Sequence, residues 1–192
     1  MLCSNHSSHA DSAALMTASG RSFRSFALLG ASDYFFESRH IRWSVSPWMN
    51  VIPIERSPRP KALANCLDAC HRFLEQTAGA LILYPEGTRS PDGEMGPFKS
   101  GVGFFVSELG LPVVPAYIDG THCILPKGHF LPRPGKVTVR FGEALVLAAP
   151  PHNKEDSLRT WRRTVVEQLS QNVHSLSVGD HVHEFVARAG RT

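Results

Sequence analysis

Apolar positions along this chain recur with two different periods, which divide it into helices and strands. Leu63, Cys66, Leu67, Cys70, Phe73 and Leu74 repeat at helical spacing among Lys61, Asn65, Asp68, Arg72 and Glu75, predicting an amphipathic helix over about 61–76. Val51 to Ile54 before it reads as a short strand, and Pro53 suits an edge or a bulge. Past Gly79, the unbroken apolar run Ala80 to Tyr84 reads as a buried strand, completing a strand-helix-strand unit. Phe98-Lys99-Ser100-Gly101 opens a helix that runs to about Leu109 and ends at Gly110. Leu111 to Ile118 supplies another buried strand, and Val137 to Phe141 alternates as a half-exposed one. A last helix is predicted from Ser157 to Leu176, with Leu158, Trp161, Val165, Leu169 and Val173 on one side and Arg159, Arg162 and Arg163 on others. Weaker patterns suggest a strand around Phe26 to Leu29 and a short helix from Asp11 through Met16. The five residues before His6 are too few for a typical strand, and residues 177–192 read as a flexible tail. The sum is an α/β fold: a mixed sheet flanked by helices, with residues 1–176 as a single domain.

Composition narrows this picture. A chain of 192 residues with 42% hydrophobic and 19% charged residues is globular, and a second independent domain would be crowded. The net charge of +3 is a mild bias toward anionic partners such as phosphorylated ligands or anionic lipid. It lacks the dense Lys/Arg clustering of a nucleic-acid binder, so no nucleic acid is expected. Four cysteines without scaffold density, and no signal peptide, point to a reducing, cytoplasmic setting. No uncharged apolar stretch is long enough to span a bilayer, so membrane contact is expected to be peripheral or to lie outside this chain. Between Asp33 and Asn50, Tyr34, Phe35, Phe36, Trp43 and Trp48 interleave with Arg39, His40 and Arg42. This composition suits a segment lying at a lipid interface and equally suits core packing.

Two stretches carry candidate chemistry. In Tyr84-Pro85-Glu86-Gly87-Thr88-Arg89-Ser90 a buried strand ends in a turn that presents an acid and a base within four residues. The carboxyl end of a strand is where α/β sheets bind ligands, although an ordinary turn with a surface ion pair fits the same letters. In His6-Ser7-Ser8-His9-Ala10-Asp11, the His and Asp are five apart, about 140° around a continuous helix, so a His6–Asp11 pair requires a turn. Such a carboxylate would hold the imidazole tautomer and leave the other nitrogen to take a proton from a hydroxyl. The alternative is Asp11 as a helix cap and His6 as a terminal residue. No metal is expected: the spacing of His6, His9 and Asp11 is wrong for a dinuclear zinc motif, Asp180 to Glu184 reads as solvated, and Cys66 and Cys70 read as small buried hydrophobes. Lys99 and the amino end of the helix beside it are suited to face an anion.

In order, these blocks resemble the glycerolipid acyltransferases of the lysophosphatidic acid acyltransferase family, the bacterial PlsC-like group, from His6 to about Ala144. Asn5 to Asp11 matches the His-x4-Asp catalytic block, and Val51 to Arg56 a second block with its phosphate-binding arginine. Tyr84 to Ser90 matches Phe-Pro-Glu-Gly-Thr-Arg-Ser almost letter for letter, and Leu111 to Pro115 the apolar-Pro block. The resemblance implies His6 as general base and Asp11 as its orienter. It implies Arg56, Glu86, Gly87, Thr88, Arg89 and Lys99 on the acceptor side, with Glu86 on a glycerol hydroxyl or an arginine, and Val114 and Pro115 on the acyl side. It further implies transfer of a fatty acyl group from acyl-CoA or acyl carrier protein, as co-substrate and with no cofactor, to a 1-acyl-glycerol-3-phosphate-like lysophospholipid. This would occur at the inner face of a membrane. With no Gly-x-Ser-x-Gly elbow, no covalent acyl-serine is suggested. Asn50 and Ser100 depart from the family pattern, and the family's strand and membrane helices before the His block are expected to be lacking. The alternative is a truncated, catalytically weak lipid-binding module that once belonged to a larger acyl-activating or acyltransferase protein.

Overall fold

Strand β4 (Ala80–Leu83) has no polar position, because both its faces are covered and both its edges are paired. Around it, a computed structural model describes residues 1–31, 49–55, 59–126, 128–129, 131–151, 155–180 and 182–189. The strands are β1 (Leu2–Ser4), β2 (Phe26–Ala31), β3 (Asn50–Ile54), β4, β5 (Val114–Asp119), β6 (Gly135–Phe141) and β7 (His183–Ala189). They form one sheet in the order β3-β2-β4-β1-β5-β6-β7. The first five in that order are parallel, and β6 and β7 add antiparallel, giving the expected mixed sheet. Pro53 lies on β3, which among the described residues has a partner on one side only, so its missing N–H is tolerated there.

Two sequence expectations are corrected. A strand does precede His6: β1 is only three residues long, yet it occupies the sheet centre, with Leu2 opposite both Ile82 and Val114. Pairing on both edges makes so short a strand viable. The Met1 ammonium also donates to Pro112 O at 2.6 Å, and Met1 O accepts from Val114 N at 2.8 Å. Nor is the region after the last helix loose throughout, because β7 pairs with β6 from Gly135↔Ala189 to Phe141↔His183. One cross-strand ion pair, Arg140 Nε to Glu184 Oε1 at 2.8 Å, joins them. The pairing is dictated by β6; β7 itself has only a short, weakly apolar alternation.

Among the described residues, five α-helices cover the sheet: α1 (Asp11–Ala18), α2 (Pro60–Thr77), α3 (Gly101–Leu109), α4 (Thr121–Ile124) and α5 (Glu155–Ser177). On one face α2, α3 and α5 pack Cys66, Cys70, Val102, Phe105, Val165 and Leu169 against Cys3, Leu29, Leu81 and Leu83. On the other, Leu15 and Met16 of α1 and Ile124 of α4 meet Leu28, Ile82, Ile118 and Val139. Among the described residues, no helix is long and apolar enough to cross a membrane.

The chain therefore leaves β1 toward one face, through α1, and leaves the adjacent β4 toward the other, through α3. Such divergence between neighbouring parallel strands opens a crevice beyond their carboxyl ends. The loop of His6 and the loop of Glu86 meet there.

Candidate active site

His6 is delivered by the strand before it. The buried Asn5 side chain donates from Nδ2 to Ile118 O and accepts from Ile118 N, both at 2.8 Å, and so adds one more rung between β1 and β5. The His6 amide then donates to Glu86 Oε1 at 2.8 Å, and its carbonyl accepts from Ser90 N at 2.8 Å. The imidazole lies flat on the Tyr84 ring, with centroids 3.9 Å apart and planes 9° off parallel. Ser12 Oγ bonds the Tyr84 hydroxyl at 2.8 Å, and burial pushes the phenol well above its ordinary pKa, so the platform stays neutral.

The turn that a His–Asp pair requires is present. His6 Nδ1 is 2.8 Å from Asp11 Oδ2, and Asp11 is fully buried while His6 remains 20% exposed. Oδ2 also accepts from the amides of Ser7 and Ser8, at 2.7 and 2.8 Å. Asp11 is thus the first residue of α1, and its carboxylate ties down the main chain of the preceding turn while also holding the imidazole. The helix-cap alternative is corrected: the cap position of α1 is Ala10, with no side-chain cap hydrogen bond, and Asp11 bonds the turn before the helix. With the proton on Nδ1, Nε2 across the ring carries the free lone pair of the neutral imidazole.

Glu86 is placed differently from its expected roles. It is buried, and its two oxygens take the amides of His6 at 2.8 Å and Gly96 at 3.1 Å, so it struts the main chain under the imidazole. Burial raises its pKa, and those two amide bonds oppose the rise. At Gly96 a β-carbon would sit 3.1 Å from Glu86 Oε2, so the close approach favours glycine.

The rest of the turn faces outward. Gly87, at φ +68°, and Thr88 are exposed, and Lys99 runs beside Gly87, where a β-carbon would lie 2.8 Å from Lys99 Nζ. Arg89 is half-buried; desolvation lowers its pKa and the nearby Asp11 charge opposes that. His9 is pushed down to about 4, first by burial and then by the Arg89 and His6 charges. Arg56 and the aromatic-basic stretch 33–48 lie outside the described residues.

Beside this cluster lies a cavity of about 410 Å³. Its walls are mainly apolar, including Leu29, Ile54, Leu83, Val102, Phe104 and Phe105, and Tyr84, Gly87 and Lys99 border it. Val114 and Pro115 are not among the lining residues: they sit within β5, opposite Leu2 and Cys3. Sequence reasoning also missed Thr121, whose hydroxyl donates to Asp11 Oδ1 at 2.5 Å. The available signal was Asp119-Gly120-Thr121, a polar turn directly after a buried strand.

The sequence profile of a family described as Acyltransferase matches residues 1–119. The chloroplast 1-acyl-sn-glycerol-3-phosphate acyltransferase BAT2 of Brassica napus is 36% identical over 125 residues, which is 65% of this chain and 34% of that protein. The 1-acyl-sn-glycerol-3-phosphate acyltransferase of Pseudomonas aeruginosa is 37% identical over 95 residues, 49% of this chain and 36% of that one. The chain thus spans between 33% and 41% of the length of the curated relatives it matches. The crystal structure of the 1-acyl-sn-glycerophosphate acyltransferase PlsC from Thermotoga maritima superposes with a TM-score of 0.59 at 26% identity, covering 92% of this chain and 65% of that one. With its His-x4-Asp and Glu-Gly-Thr-Arg blocks inside the matched region, and the fold that brings them together, the chain belongs to the acyltransferase family.

Proposed function

We propose that this chain carries the acyl-transfer centre of an enzyme that esterifies the free hydroxyl of a 1-acyl-glycerol-3-phosphate-like lysophospholipid, with acyl-CoA or acyl carrier protein as donor. The observation that carries the reading is the His6 Nδ1–Asp11 Oδ2 contact of 2.8 Å on a ring stacked against Tyr84, a wall of the apolar cavity. The names of the relatives supply the acceptor class.

On this reading the acceptor hydroxyl gives its proton to His6 Nε2 as its oxygen attacks the thioester carbonyl carbon. The new C–O bond forms while the carbonyl π pair moves onto oxygen. Collapse breaks the C–S bond, and the imidazolium returns the proton to the departing sulfur, leaving an ester and a free thiol. Asp11 holds the tautomer and stabilises the imidazolium throughout. No side chain becomes acylated. Arg89 and Lys99, with Arg56, suit the acceptor phosphate, because guanidinium and ammonium groups form charge-assisted bonds to oxyanions. The apolar cavity suits a fatty acyl chain. A lipid acceptor places the work at a membrane surface, peripherally and on the cytoplasmic face. A second reading, a lipid-binding module without turnover, rests on the short amino end and the aromatic-basic stretch 33–48, and predicts that liposome binding survives His6→Ala with activity indistinguishable from wild type.

The test is an acyl-transfer assay over a small panel of lysolipids, comparing wild type with His6→Ala. Product with lysophosphatidic acid that disappears in the variant supports the reading. Silence with every lysolipid, from this chain and from an upstream-extended form alike, refutes it.

A further inference from the structure

Asp11 is held from two sides, and only one belongs to its own segment. Oδ2 takes His6 Nδ1 and the amides of Ser7 and Ser8, all within the first eight residues. Oδ1 accepts from Thr121 Oγ1 at 2.5 Å, a bond reaching across 110 positions of sequence. Thr121 is fully buried, and its hydroxyl also lies 3.3 Å from Ser7 Oγ.

The local backbone is shaped to make this contact. Gly120 sits at φ +85°, in the left-handed region, and a β-carbon there would collide with Lys136 O. The chain can therefore turn sharply off the end of β5 and set the first residue of α4 against the Asp11 carboxylate. Threonine is also stiff at χ1, so its hydroxyl is presented in a defined direction.

A carboxylate anchored through one oxygen keeps a soft, two-fold torsion at Cγ. Rotation about it would tilt or exchange the oxygen that faces the imidazole. A donor on the far oxygen removes that freedom and satisfies an acceptor that has no access to solvent.

We propose that Thr121 is a positioning residue for proton transfer at His6, acting through Asp11. The inference rests on the reading of His6 as the general base. Thr121 fixes the carboxylate, and the carboxylate fixes the imidazole tautomer and plane.

The test compares Thr121→Val and Thr121→Ala, which remove the donor, with Thr121→Ser, which keeps it. The two donor-less variants are expected to lose about 10- to 100-fold in kcat, less than the roughly 10²- to 10⁴-fold that a general base itself supplies. KM for the lysolipid should stay within about twofold, and Thr121→Ser should restore most of the rate. Nitrogen-15 NMR of the imidazoles gives a readout independent of turnover. It should show His6 as a single Nδ1–H tautomer in wild type and Thr121→Ser, and as a mixture in whichever donor-less variant is folded by near-ultraviolet circular dichroism. Unchanged kcat, an equal loss in Thr121→Ser, or an unchanged tautomer in a folded donor-less variant overturns the proposal. If wild type transfers no acyl group, the NMR comparison still decides the role of Thr121, and the failure then falls on the proposed function alone.

Discussion

Around Asp11 both carboxylate oxygens are engaged, by Thr121 on one side and by His6, Ser7 and Ser8 on the other, and Glu86 likewise takes two main-chain amides. Around Gly87, the residue directly after Glu86 on the loop that follows β4, Thr88 and Lys99 stand exposed. The first region is fully bonded within the protein, which under the proposed function suits a proton-transfer group whose geometry is to lower a barrier. The second is open, as a surface must be if it is to meet a charged ligand and release it. Under the proposed function, chemistry and recognition are separated by burial within one crevice: changes in the first should appear in kcat, and changes in the second in KM.

The largest expected effect tests the buried side. His6→Ala or Asp11→Asn should lower kcat by roughly 10²- to 10⁴-fold, the usual contribution of general base catalysis, with acceptor KM little changed in single-turnover and steady-state assays. A variant that instead loses affinity would dissolve the division. Next comes Glu86→Gln, which keeps shape but turns one acceptor into an NH2 facing the amide of His6 or Gly96. An orphaned buried amide costs about 1–3 kcal/mol, so the denaturant midpoint should fall together with kcat, whereas a pure acceptor-binding role would leave stability untouched. On the open side, Lys99→Ala and Arg89→Ala should raise acceptor KM by about tenfold, as loss of one charge-assisted bond implies, with an effect that shrinks as salt rises. A kcat loss matching that of His6→Ala would show that the rim belongs to the chemistry.

The smallest effect concerns pH. His9 is held down to about 4 against an ordinary 6.5, so the folded state favours its neutral form. Its contribution is fully present above pH 6.5 and is lost as pH falls toward about 4, where the unfolded chain binds the extra proton. Glu86 has the opposite sign: raised above its ordinary 4.5, it contributes below that value and less as pH rises. Urea unfolding from pH 7 to 4 should therefore show wild type losing stability more steeply toward the acid end than His9→Gln, and parallel curves would remove His9 from the account.

Most long elements were legible from periodicity alone. The α2 stripe from Leu63 to Leu74 and the apolar run of β4 announce themselves because one local face, or two, must be buried. What escaped was structure whose cause lies elsewhere in the chain. Three residues of β1 form a strand because β4 and β5 wait on either side, and β7 takes its register from β6. In the site, His6, Asp11 and the Glu86 turn were visible as motif letters. The direction of the Glu86 carboxylate was not, because a letter string does not say whether an acid faces ligand or backbone. Thr121 was invisible for the same reason, and the apolar cavity draws on β2, β3, β4, α2 and α3 rather than on the Val114-Pro115 block.

The hydrogen bonds that seat His6 and Asp11 join positions 80 and 110 residues apart. Such long closures form late and open together, since no local stretch can hold them by itself. The base is consequently a property of the whole fold and of none of its fragments. If the loop after β4 or the turn after β5 opens transiently, the imidazole loses its seat even while most helices persist, so turnover should report partial opening earlier than far-ultraviolet circular dichroism does.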